Sequence, residues 1–158
     1  MDLLKLRSEL SRDEGRKLSS YMDTKGFWTI GVGHLLGRER RMFSITEAEC
    51  DALLDADIAV AEGAARRVLD PNNYWHLLDD VRQRALVNMA FNRGEQHMRT
   101  STTITPLIAQ ALSGMAGPFA SVLWRAVGKA IIDSPWGKQI GERGDRLAYM
   151  LETGKEPT

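Results

Sequence analysis

Residues 13–34 read DEGRKLSSYMDTKGFWTIGVGH, a stretch that departs from the helical patterning on either side of it. Its FWTIGV run is rich in β-forming side chains, and the DTKG segment before that run has the composition of a turn. We therefore predict a small antiparallel hairpin over residues 18–34. Gly31 and Gly33 lie in its second strand, where glycine often marks the close approach of another group to the backbone.

Helical periodicity dominates the rest of the chain. Apolar residues before the hairpin predict an opening helix that ends near Gly15. Residues 37–43 are basic and predict a loop. Thr46 and Glu49 then form a capping box at the start of a long helix, whose apolar face extends to about residue 70. Further helices are predicted from a stripe that ends at Gly94, from Thr105 as an N-cap before Pro106, and from residues 143–151 before Gly154.

These elements predict an α+β fold, mostly α, in a single domain of residues 1–158. The predicted parts are a hairpin lobe (residues 13–45), a connecting helix (46–70) and a helical lobe (71–158 together with 1–12). Two lobes joined by one helix leave a cleft, and clefts are where ligands usually bind.

The composition argues against several classes of function. The chain has 21 Lys and Arg against 21 Asp and Glu, so it lacks the excess positive charge that nonspecific binding to nucleic acid needs. No run approaches 18 apolar residues and no apolar secretion signal is recognised, so we expect no stable membrane association. Metal-ligand spacing of Cys and His is absent, as is a glycine-rich phosphate loop, so no metal or cofactor is expected.

Three polar residues around the hairpin suggest chemistry. Glu14 ends the opening helix, Asp23 lies at the hairpin turn and Thr29 lies on the returning strand. Glycoside hydrolysis uses one carboxylic acid to protonate the leaving oxygen and a second carboxylate to position water, which a hydroxyl can help to hold. Each residue also fits an ordinary role, as a solvated helix-end carboxylate, a turn residue and a β-branched strand residue. Spacing alone leaves both interpretations open.

A resemblance to a known family favours the catalytic interpretation. The segments DEG at residues 13–15 and YMDTKGFWTIGVGH at 21–34 are similar to the phage T4-type lysozymes, glycoside hydrolase family 24. The similarity continues through residues 80–95, SPW at 134–136 and the final helix, and so covers nearly the whole chain. It implies a lysozyme-like fold and inverting hydrolysis of the β-1,4 bond between N-acetylmuramic acid and N-acetylglucosamine in peptidoglycan.

The resemblance also implies roles for individual residues. Glu14 resembles the family's general acid, and Asp23 and Thr29 resemble the residues that position the attacking water. Leu35 and Phe91 match positions that line the glycan cleft, although Phe91 also lies on a helical stripe and fits a plain core residue. The residues that resemble structural supports are His34, Arg143 near the acid, and Arg146, which in the family pairs with the residue before the acid, here Asp13.

The biological role implied is that of a monomeric, bacteriolytic endolysin. It would be made in the host cytoplasm and reach the periplasmic wall once a holin-type protein has permeabilised the membrane. Two alternatives remain. A lytic transglycosylase breaks the same bond with the muramic 6-hydroxyl and needs one acid, so Asp23 and Thr29 argue against it. A noncatalytic glycan-binding module would lack the acid, so Glu14 argues against that alternative.

The chain also departs from the family pattern. Only eleven residues separate His34 from Thr46, where the family often has a longer insert with a short helix. Leu107 and Ala130 are apolar where T4-type enzymes have polar groups that contact substrate. We therefore expect a shorter rim on this side of the cleft and altered contacts to the peptide stems.

Overall fold

The computed structural model describes residues 1–157. The chain divides into two compact units, which we call the sheet unit (Leu3–Val60) and the helical unit (Met1–Asp2 and the chain from Ala61 onward). Helices predominate beside one small antiparallel sheet, so the predicted α+β, mostly α fold class is confirmed. The opening helix belongs to the sheet unit, whereas the sequence grouped residues 1–12 with the helical lobe. An apolar stripe shows that a helix buries one face but does not identify its neighbour.

The sheet unit begins with one helix and three strands. These elements are α1 (Leu3–Glu14), β1 (Lys17–Met22), β2 (Trp28–Gly31) and β3 (His34–Gly37), and the sheet order is β1-β2-β3. The predicted hairpin corresponds to β1 and β2, but β3 was not predicted. Gly31 and Gly33 adopt φ values of 66° and 73°, a region that side chains disfavour, so the chain reverses there and does not continue as one strand.

A long helix, α2 (Glu47–Leu69), follows the sheet. The predicted capping box is present, because the Thr46 N–H donates to Glu49 Oε2 at 2.7 Å and the Glu49 N–H donates to Thr46 Oγ1 at 3.2 Å. Arg7 of α1 forms an ion pair with Asp55 of α2. The apolar core of the sheet unit consists of Leu6, Leu10, Trp28, Ile30, Val32, Cys50, Leu54 and Ile58.

The helical unit continues α2 into a set of packed helices. These are α3 (Asp80–Arg99), α4 (Ile104–Ser113), α5 (Ala120–Asp133), α6 (Pro135–Ile140) and α7 (Glu142–Thr153). Helix α7 packs on α3, α5 and α6, and it ends at Gly154 as predicted. At Gly94 the backbone leaves helical geometry (φ 72°, ψ 158°), so the helix predicted to end there instead kinks and resumes to Arg99.

Candidate active site

Glu14 lies at the end of α1, beside the turn between β2 and β3. Gly15 follows it with a φ of 77°, which stops the helix at the predicted position. The Glu14 side chain is half-buried and lies against Gly33, since a Cβ added to that glycine would lie 3.7 Å from Glu14 Oε2. The close approach predicted from the glycine pair is found at Gly31, where an added Cβ would lie 3.3 Å from Cys50 Sγ, whereas at Gly33 the Glu14 side chain would be in ordinary contact.

Asp23 is held by the backbone of its own turn. Its Oδ1 accepts hydrogen bonds from the N–H groups of Lys25 at 2.9 Å and Phe27 at 2.8 Å. Its own N–H donates to the Phe27 carbonyl at 2.7 Å. Within residues 1–157, Oδ2 of Asp23 has no hydrogen-bond donor, so one oxygen orients the carboxylate and the other is available to a water molecule.

Thr29 occupies the central strand. Its cross-strand partners are Tyr21 on β1 and Leu35 on β3, and directly opposed residues present their side chains on the same face of a sheet. Thr29 is 6% exposed, and its hydroxyl makes no hydrogen bond to any part of the chain that the structure describes. A hydroxyl in this position can donate to or accept from a bound water.

Tyr21 links the two carboxylates electrostatically. Burial raises the pKa of its phenol, and the nearby negative charges of Asp23 and Glu14 raise that pKa further. The ammonium group of Lys17 lies 4.0 Å from the centroid of the Tyr21 ring. Sequence reasoning did not identify Tyr21 as a site residue. Its place opposite Thr29 in the hairpin register was the signal that would have found it.

Two further residues that were predicted as supports lie in the sheet unit. His34 Nδ1 lies 2.8 Å from Asp57 Oδ2, and Asp57 on α2 is the acidic partner that the sequence did not reveal. Asp13 has a buried side chain that accepts a hydrogen bond from Arg12 Nε at 3.0 Å.

The two predicted support arginines belong to the helical unit. Arg143 is 6% exposed, and its Nε donates to Asn88 Oδ1 at 2.9 Å while its Nη2 donates to the Asn88 carbonyl at 3.3 Å. Arg146 Nη1 lies 3.5 Å from Glu142 Oε2, one turn away on α7. The predicted proximity of Arg143 to Glu14 and the predicted pairing of Arg146 with Asp13 stay predictions.

The two predicted substrate-contact residues differ in exposure. Leu35 in the sheet unit is 58% exposed, whereas Phe91 in the helical unit is half-buried. Ala130, where the sequence departs from the family pattern, lines a cavity of about 470 Å³ together with Thr103 and Lys129. Among residues 1–157, no group of three or more His, Cys, Asp or Glu side chains is arranged to hold a metal ion.

Comparison with known proteins identifies the family. Residues 11–133 match the family model described as phage lysozyme. The probable T4-type lysozyme 1 of Dictyostelium discoideum is 28% identical over 171 aligned residues, which cover 94% of this chain and 94% of that protein. The endolysin of Salmonella phage P22 is 30% identical over 77% of this chain and 82% of its own length. The pre-baseplate central spike protein Gp5 of Enterobacteria phage T4 is 30% identical over 92% of this chain but only 27% of that protein.

The mostly α fold with its small sheet and the matched residues define a hydrolase of the lysozyme class. The chain belongs to the phage lysozyme family. The T4-type resemblance seen in residues 13–34 is thereby confirmed, as is the prediction that the protein is a lysozyme.

Proposed function

We propose that this lysozyme hydrolyses the β-1,4 bond between N-acetylmuramic acid and N-acetylglucosamine with inversion at the anomeric carbon. Glu14, as the general acid, gives its proton to the departing glycosidic oxygen. A water molecule held by Asp23 and Thr29 attacks the anomeric carbon from the opposite face, and Asp23 accepts the proton that this water loses. No metal or cofactor takes part in this scheme.

The observation that carries this proposal is that Glu14 and Asp23 both act on the phenol of Tyr21, which is opposed to Thr29 in the sheet. We infer from this that two carboxylates and a hydroxyl share one part of the sheet unit. Their surroundings differ, since Glu14 is half-buried against Gly33 whereas one oxygen of Asp23 accepts two N–H groups of its own turn. Leu35 and, in the helical unit, Phe91 are the proposed contacts to sugar rings.

The same proposal includes the biological role. The P22 relative is named an endolysin, and a protein named SAR-endolysin from Enterobacteria phage P21 is 33% identical over 58% of this chain. We propose that this lysozyme acts as a monomer in bacterial lysis, is made in the host cytoplasm and depends on a holin-type protein to reach the periplasmic wall.

The test compares the wild type with Glu14→Gln on outer-membrane-permeabilised Gram-negative cells. Loss of turbidity gives the rate of lysis, and mass spectrometry of the released muropeptides identifies the bond and the chemistry. Glu142→Gln is the matched control. The Glu142 side chain is 94% exposed, and its ion pair with Arg146 is long, at 3.5 Å. Removing a general acid slows such reactions by about 10²- to 10⁴-fold.

We expect clearing by the wild type and by Glu142→Gln, little clearing by Glu14→Gln, and products with N-acetylmuramic acid at the reducing end. Products with a 1,6-anhydro ring would assign the chain to the transglycosylases instead. Binding to peptidoglycan without clearing would leave a glycan-binding module. Near-normal lysis by a folded Glu14→Gln variant would remove Glu14 from the mechanism.

A further inference from the structure

An apolar groove lies in the sheet unit between the sheet and the first turns of α2. Its volume is about 420 Å³, within the range of small-molecule sites, and its apolar walls include Leu36, Phe43, Ile45 and Leu53. Its lining also contains two ionisable groups. Glu49 is already engaged by the N–H and hydroxyl of Thr46 in the capping box, and His34, a predicted support of the site, lies 2.8 Å from Asp57. The groove is therefore lined mainly by hydrocarbon.

The loop at the edge of this groove combines positive charge with exposed apolar side chains. Residues 38–43 read RERRMF, and Met42 and Phe43 are 67% and 46% exposed. The sequence predicted a basic loop here but did not single out these two apolar residues. Large exposed apolar side chains beside a groove commonly mark an interaction surface.

The three arginines of this loop have no acidic partner in the part of the chain that the structure describes. Arg38 stacks 4.5 Å from the centroid of the Phe27 ring, and the Arg40 guanidinium contacts the sulfur of Met42. Arg41 is exposed, and the one carboxylate within the loop is that of Glu39. Most other arginines, by contrast, form ion pairs. The loop therefore presents a net positive charge beside an apolar opening.

We propose that this loop and groove bind anionic phospholipid at a bilayer surface. Arg40 and Arg41 meet the lipid phosphates, Met42 and Phe43 enter the boundary between headgroups and acyl chains, and the end of one acyl chain occupies the groove. Apolar side chains inserted beside basic ones are the usual elements of interfacial binding. A glycan or a nucleic acid would not require the hydrocarbon walls of the groove.

The proposed contact is reversible. No helix among the described residues is long and apolar enough to cross a membrane, and one small basic and apolar patch supplies only weak attachment. The expectation of no stable membrane association stays a prediction, and the proposal adds a reversible surface contact to it. The inference rests on residues outside the proposed catalytic set, so it can fail while the muramidase proposal stands.

The first experiment is sedimentation of the full chain with phosphatidylcholine vesicles that contain or lack phosphatidylglycerol. The test variants are Arg40→Gln/Arg41→Gln and Met42→Ser/Phe43→Ser. The matched controls are Arg125→Gln/Lys138→Gln for charge and Phe119→Ser/Val122→Ser for exposed apolar side chains at the start of α5. We expect binding that requires phosphatidylglycerol, falls in about 0.5 M salt and weakens by about 30-fold in the arginine variant, with the controls unchanged.

A second experiment locates the acyl chain. Monomeric short-chain phosphatidylglycerol should shift the methyl NMR signals of Ile45 and Leu53 in the groove and leave those of Val122 unshifted. Three results would overturn the proposal: no dependence on phosphatidylglycerol, equal loss of binding in the control variants, or unshifted groove methyls. A loss of retention on insoluble peptidoglycan without a loss on vesicles would instead assign the arginines to the wall polymer.

Discussion

The two units of this lysozyme differ in how their polar side chains are engaged. In the helical unit, the buried arginines are bound: Arg84 pairs with the carboxylates of Asp80 and Glu156, and Arg143 donates twice to Asn88. The buried indole N–H groups of Trp75 and Trp124, by contrast, have no hydrogen-bond partner within residues 1–157. In the sheet unit, the Thr29 hydroxyl and one oxygen of Asp23 have no partner within residues 1–157. Polar groups that have hydrogen-bond partners within the protein stabilise a fold. Polar groups without such partners beside a site are available to water and substrate.

The largest effect that we expect from this difference is the loss of activity caused by Asp23→Asn. An amide oxygen can still accept from the Lys25 and Phe27 N–H groups, so the turn is kept while the charge that activates water is lost. We expect lysis to slow by about 10²- to 10⁴-fold with a nearly unchanged melting temperature. Asp51→Asn on α2 is the control. A large fall in melting temperature would show that Asp23 serves the fold more than the chemistry.

The next effect is on stability and lies in the helical unit. Arg143→Ala removes two hydrogen bonds to Asn88 and leaves a space in a buried region. We expect a loss of about 1–3 kcal/mol in the free energy of unfolding, measured by urea denaturation. Arg125→Ala, at a side chain that is 74% exposed, should change it by no more than about 0.5 kcal/mol. Equal stabilities would contradict the assignment of Arg143 as a structural support.

A smaller stability effect is expected in the sheet unit at the start of α2. Thr46→Ala breaks the capping box, because it removes the acceptor of the Glu49 N–H and a donor to the Glu49 carboxylate. The expected cost is about 1 kcal/mol in the free energy of unfolding. Thr102→Ala serves as the control, because Thr102 is exposed and lies one residue before the N-cap position of α4. A similar cost in both variants would show that the capping box contributes nothing specific.

The smallest effect expected is a pH dependence at Glu95 in the helical unit. Hydrogen bonds from Arg67 and Arg99 lower the pKa of Glu95 from 4.5 to about 2. A carboxylate whose pKa is lowered by folding stabilises the fold above its unfolded pKa, and that contribution disappears as the pH falls through the folded value. The melting temperatures of wild type and Glu95→Gln should therefore differ above pH 4.5 and converge towards pH 2. A difference that is constant over this range would contradict the assignment.

Sequence reasoning succeeded where the signal was local. The capping box at Thr46 and the stop at Gly15 each depend on residues within one helical turn, and both are present as predicted. It was wrong at Thr105, which was predicted to cap α4. The helix begins at Ile104 with Thr103 at the N-cap position, and the Thr105 hydroxyl donates to the Met98 carbonyl at 2.7 Å. Thr102, Thr103 and Thr105 lie close together in the chain. The hydrogen bond from Thr105 to α3 depends on the packing of two helices, which the sequence pattern does not reveal.

The local chemistry of the amino-acid sequence was enough for the fold class and for the hairpin, because propensities and turn residues act over a few positions. The family was indicated separately, by the resemblance of residues 13–34 to the T4-type lysozymes. Tertiary packing was needed for the third strand, for the unit to which α1 belongs, for Asp57 as the partner of His34 and for Tyr21 beside the two carboxylates. The place of α1 and the contact between His34 and Asp57 depend on groups that are distant in the chain, and only the packed backbone brings such groups within the few ångströms over which hydrogen bonds and charges act. The third strand and the surroundings of Tyr21 involve nearby residues, but they depend on where the backbone turns and on the strand register, which composition alone does not specify.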